Sequence, residues 1–160
     1  VLNVIEQKDK TMNIPEYITV KEVKRVCREM GIRDWTALTE DEVPAEEAQA
    51  VLDLVNVQNM PVELEEFRHG LEIELEHGVM FDDANVTNNH PVLTGKIVLA
   101  HLKESLYYYK SLEVAEIEGD LGKAAAAGDA TKLMEKYLKL VAARLELAEA
   151  ESTLIDKALR

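Results

Sequence analysis

Cysteine occurs once in the 160 residues, at Cys27, so no disulfide forms within the chain. A lone thiol fits a reducing, cytoplasmic setting better than an oxidising one. Aromatic residues make up only 5%, with seven glycines and four prolines, which leaves little material for strands and tight turns and favours helices. Basic residues are scarce: 18 stand against 31 acidic ones, for a formal net charge of −13. Such a surface argues against nucleic acid and anionic membranes, which both require basic patches, and is compatible with cations or basic proteins. No apolar run has the length of a membrane span. The chain opens Val-Leu-Asn-Val instead of on a methionine, as a trimmed or incomplete chain does, and shows no basic-then-apolar secretion signal.

What is present is 47% apolar and 31% charged, the balance of a globular chain long enough to bury a core. Thr19-Val-Lys-Glu22 is a capping box, and Gly31 supplies the stop of the helix it opens, predicted over 19–30. Its stripe is Val20, Val23, Cys27 and Met30, which makes Cys27 a core residue rather than a reactive thiol. Trp35 is expected to anchor the core. Thr39 with Glu42 reads as a second capping box, and Pro44 suits the first turn of a helix over 45–56 carrying Ala48, Val51, Leu52 and Val55. Pro61 starts a third helix over 62–77, with Leu64, Phe67, Leu71 and Leu75 on one face and Gly78 as its stop. Gly70 inside it costs about 1 kcal/mol against alanine, which points to close approach by another helix.

Residues 79–90 form a polar loop rich in Asp and Asn, without the spacing or the closing glutamate of a calcium loop. A fourth helix is expected over 92–118. After the Gly/Ala-rich stretch 119–128, Asp129 caps a last helix over 129–158. There Met134, Leu138, Val141, Leu145, Ala148, Ser152, Ile155 and Leu159 recur by fours and threes, the rhythm of an a/d seam. The fold class is therefore all-α: a small helical bundle with a long C-terminal amphipathic helix. It divides into an N-terminal arm (1–16), a core (17–118) and a C-terminal extension (119–160). The 129–160 helix is expected to pair with a protein partner or with its own copy, since an isolated amphipathic helix is marginal in water.

Two motifs mirror each other: Glu74-Leu-Glu-His77 and His101-Leu-Lys-Glu104. Residues three apart share a helix face, so each pair aims a carboxylate and an imidazole at one spot. Glu74, His77, His101 and Glu104 together make a candidate His₂Glu₂ metal clamp, with ligand types that suit zinc, iron or manganese. His77 at a helix end and His101 ten residues into the next helix are offset by roughly 15 Å, which only a loop climbing back beside the helix corrects. His69 and His90 look incidental.

Several segments in order carry a family likeness: Ile18-Thr-Val-Lys-Glu-Val-Lys-Arg25, Gly31-Ile-Arg-Asp-Trp35, Leu64-Glu-Glu-Phe-Arg68, Glu74-Leu-Glu-His-Gly78, Asn85-Val-Thr87, and Thr94-Gly-Lys-Ile97 followed by His101, Glu104 and Tyr108-Tyr109. Over residues 17–118 the chain resembles the domain-of-unknown-function family numbered 5661, with residues 36–60 read as an insertion and the part after Gly119 as an addition. The resemblance implies no activity. It singles out Glu74, Glu76, His77, Gly78, Asn85, Thr87, Gly95, Lys96, His101, Glu104 and Tyr108 as pattern positions.

Three readings of the motif pair stand side by side. In the first, its groups are structural polar contacts in a non-enzymatic interaction or assembly protein. In the second they bind a metal, in a metal-binding protein or a metal-dependent oxidoreductase. In the third, Glu74 and His101 act as an unassisted acid and base. No Ser/His/Asp set, phosphate-binding glycine loop or Cys-x-x-Cys accompanies them, so the first reading leads and an enzyme is the lesser expectation.

Overall fold

The computed structural model describes residues 17–159; the expected arm at 1–16 lies outside them. The described residues form helices and turns without a strand: α1 (Val20–Met30), α2 (Ala45–Val55), α3 (Leu64–Met80), α4 (Pro91–Glu104), α5 (Tyr108–Ala126) and α6 (Ala130–Ala158). The all-α bundle with a long final helix is what the periodicity predicted.

Local chemistry sets most of the boundaries. Thr19 caps α1 by accepting a hydrogen bond from Glu22 N at 3.2 Å, and Gly31 closes the helix at φ 71°, a conformation costly for any residue with a Cβ. The second capping box does not cap: α2 begins after Pro44 with no side-chain cap, and Glu42 instead offers its carbonyl to Arg33. Asn56 ends α2 and ties the following turn, donating to Met60 O and accepting from Met60 N.

Three expected boundaries move. Gly78 does not stop α3, which runs on to Met80; a Cβ there would lie 2.1 Å from Asn89 Oδ1, so the missing side chain makes room for the 81–90 loop. The predicted 92–118 helix breaks at Ser105, which is extended (φ −157°, ψ 130°) and accepts a hydrogen bond from Tyr107 N. The 119–128 stretch is helical to Ala126, so the expected core/extension boundary falls inside α5. Only a tight turn at Gly128 (φ 69°) separates α5 from α6, which Asp129 caps through Lys132 N.

The main core joins Val23 and Cys27 of α1, Trp35, Val43, four residues of α2, Phe67, Leu71 and Leu75 of α3, Val98, Leu99 and Leu102 of α4, and Tyr109 of α5. Residues 36–60, read from the sequence as an insertion, thus supply Ala48, Val51, Leu52 and Val55 to this core. Helices approach closely at two glycines. A Cβ on Gly95 would lie 2.5 Å from Val51 Cγ1, and one on Gly70 2.5 Å from the Tyr109 ring. The close approach inferred at Gly70 is real, and its occupant is an aromatic ring.

Beyond the first turn of α5, where Tyr109 joins this cluster with Tyr108 and Leu112 packed against it, the α5–α6 hairpin has its own joint. Leu140 and Ala143 of α6 and Ala124 of α5 are buried between the two helices. Lys136 pairs with Asp120 at 2.7 Å and Arg144 with Glu118 at 2.6 Å along the joint. The far end of α6 returns to the core, where Ala150 and Leu154 meet Pro61, Val62, Leu106 and Tyr107 around a cavity of about 190 Å³.

Candidate functional site

The site is built on one turn of α3. Gly70 leaves the hollow, the Ser105 break turns the chain, and Tyr109 drops its ring onto the bare backbone. One turn beyond Gly70, Glu74 accepts a hydrogen bond from Tyr109 Oη at 3.0 Å. His101 of α4 brings Nε2 to 3.6 Å from the same Glu74 oxygen. Tyr108 stacks on the imidazole, with ring centres 4.2 Å apart and planes 11° from parallel, while Tyr109 meets it edge-on. Burial, and then the Glu74 carboxylate beside it, push the Tyr109 hydroxyl far above the ordinary phenol range, so it stays a hydrogen-bond donor.

Two of the four sequence candidates, Glu74 and His101, therefore meet. The other two do not join them. His77 is exposed near the end of α3, in a groove it shares with Glu116, Asp120 and Lys123. Glu104 is exposed at the end of α4, beside Gln58, Met60 and Leu154. Among the described residues, no three or more His, Cys, Asp or Glu side chains form a group that could hold a metal ion. What the cluster can do is lock α3, α4 and α5 together through one shared carboxylate oxygen.

The Asn85-x-Thr87 loop is tied from within. Asn85 Nδ2 donates to Gly78 O at 3.1 Å and to Asn89 Oδ1 at 3.0 Å, and Asn89 Nδ2 reaches Trp35 O at 3.2 Å. Asn88 and Asn89 take φ of 50° and 58°, left-handed values that asparagine tolerates better than most residues. His90, buried at the start of α4, has its imidazole pushed below the usual range by burial.

A second polar centre, missed in the sequence, is Glu47. Its side chain is almost fully buried, and it accepts hydrogen bonds from Arg33 N at 2.8 Å, Arg33 Nε at 3.0 Å and Trp35 Nε1 at 3.0 Å. Burial pushes the carboxyl up, but the Arg33 and Trp35 donors outweigh it and hold the group below the usual glutamate range. A signal was available: Glu47 sits one turn before Val51 and two before Val55, on the apolar stripe of α2. Burial pushes the Cys27 thiol up, as an unreactive core cysteine requires.

An exposed apolar row lies elsewhere. On the outer face of α6, Met134, Tyr137, Leu138, Val141 and Leu145 are each 50–61% exposed. The seam read from the sequence is this outward row. The side of α6 packed against α5 is a second row, Leu133, Leu140 and Leu147 with Lys136 and Ala143 between them.

A family model described as a protein of unknown function (DUF5661) matches residues 23–118. No curated protein and no solved structure matches the chain.

Proposed function

The chain belongs to this family of unknown function, and we propose that it is a non-catalytic interaction component: a rigid helical core carrying a hairpin whose outer face docks onto another protein surface. The observation that supports this best is the apolar row on α6. Five large side chains exposed along one face of one helix make a patch that water alone serves poorly. The polar cluster fits the same reading. Glu74 accepts from Tyr109, His101 lies beside the same oxygen and Tyr108 stacks on the imidazole, while the pattern positions Gly78, Gly95 and Asn85 do packing and loop-fixing work.

The competing reading is a metal-binding protein or metal-dependent oxidoreductase built on Glu74, His77, His101 and Glu104. Elemental analysis of protein purified without added metal separates the two. The interaction reading predicts no stoichiometric zinc, iron or manganese, and no change in metal content on His101→Ala. Stoichiometric metal that disappears in His77→Ala and His101→Ala would overturn it.

A further inference from the structure

Resting on the interaction reading, we infer that the outer face of α6 docks a second copy of this chain, antiparallel, about a two-fold axis between Leu138 and Val141. The face is self-complementary in that register. Leu138 meets the partner's Val141 and Met134 meets the partner's Leu145, and the two-fold axis repeats both contacts. The four central layers are thus filled by large side chains from both copies, and Thr131 meets the partner's Ala148 at each end.

The flanking charges agree with this register. Beside the seam, Tyr137 lies against the partner's Arg144, a largely exposed side chain that pairs with its own Glu118. On the other flank, Glu135, already paired with Lys139 at 3.0 Å, lies against the partner's Ala142. One like pair falls near the axis, Lys139 beside the partner's Lys139, each neutralised by its own Glu135. A parallel pairing does worse: it sets Ser152 on the partner's Ser152 and brings Glu151 beside the partner's Asp156, two acids at one flank.

The antiparallel register also confines contact to residues 130–149, where the row is richest, and leaves Ser152 outside it. The five side chains are half or more exposed, so two copies face to face cover on the order of 1,000 Å², about the minimum for a specific pairwise interface. The affinity expected is that of a modest, concentration-dependent dimer.

Light scattering on the full chain tests the inference. The mass should rise with concentration toward twice the 18.0 kDa of one chain, and Leu138→Glu should return it to a single chain with an unchanged helical circular dichroism spectrum. Orientation is read separately from spin labels on Lys139→Cys and Glu151→Cys, since native Cys27 is buried. The antiparallel register predicts a short label-to-label distance at 139 and one longer by roughly 20–30 Å at 151, from the 1.5 Å rise per residue. A single-chain mass at the highest soluble concentration, a dimer indifferent to Leu138→Glu, or equal distances at the two positions would each overturn it. The metal content decides the interaction reading separately, so the two failures are distinguishable.

Discussion

The core and the α5–α6 hairpin are both helical, but they are held in different ways. In the core, α1 to α4 meet through side chains buried on several sides, bare glycine backbone and carboxylates that accept several donors. In the hairpin, one narrow apolar joint, a half-buried ion pair (Lys136–Asp120) and an exposed one (Arg144–Glu118) hold α6 to α5, and the opposite face of α6 remains in water. Burial of that kind gives the core specificity, because each removed contact leaves a void or an unpaired group. The hairpin has fewer such constraints, which leaves its outer face free to be spent on a partner.

The largest effect expected is in the core. Glu47→Ala strands the Arg33 and Trp35 donors, and should cost about 3 kcal/mol in chemical denaturation. The sign with pH follows from the lowered carboxyl. The clamp contributes fully above the unfolded glutamate pKa of about 4.3 and is lost as the pH falls through the lower folded value. The stability of the native chain should therefore drop on acidification more steeply than that of Glu47→Gln.

Next in size is Gly70→Ala, which drives a methyl into the Tyr109 ring and should cost about 2 kcal/mol, although alanine is the better helix former. A gain in stability would show that the ring gives way. Tyr109→Phe keeps the packing and removes the hydrogen bond to Glu74, for a loss of about 1 kcal/mol in the same measurement. The hairpin supplies the smallest effect. Asp120 is held down to about 2, first by its hydrogen bond from Lys136 and then by Lys123, yet 36% of its side chain stays in solvent. Asp120→Asn should leave the thermal midpoint unchanged, because exposed ion pairs contribute little.

The sequence was most legible where one residue type has one use. Thr19, Gly31 and Asp129 cap as expected, and the apolar stripes of α1 to α3 are the buried faces except at Val20, which is exposed. It misled where a residue serves a distant neighbour. Gly78 reads as a helix stop but makes room for Asn89, and the break at Ser105 carries no proline or glycine to announce it. The mirrored motifs were half legible. Spacing put Glu74 and His101 on usable faces, but His77 and Glu104 depend on helix phase and crossing, which a three-residue spacing does not encode. On α6 two rows compete, and a seam's rhythm does not say whether it faces the chain's own core or a partner.

Two methionines allow the contrast to be measured in one sample. Met134 on α6 and Met80 at the end of α3 are 60% and 58% exposed in the single chain, so a mild oxidant should convert both to the sulfoxide at similar rates in dilute solution. Peptide mass spectrometry across a concentration series then reads each site. If the outer face of α6 is a docking surface for a second copy, Met134 becomes progressively protected as concentration rises while Met80 keeps its rate. Equal oxidation of the two at every concentration would contradict the account.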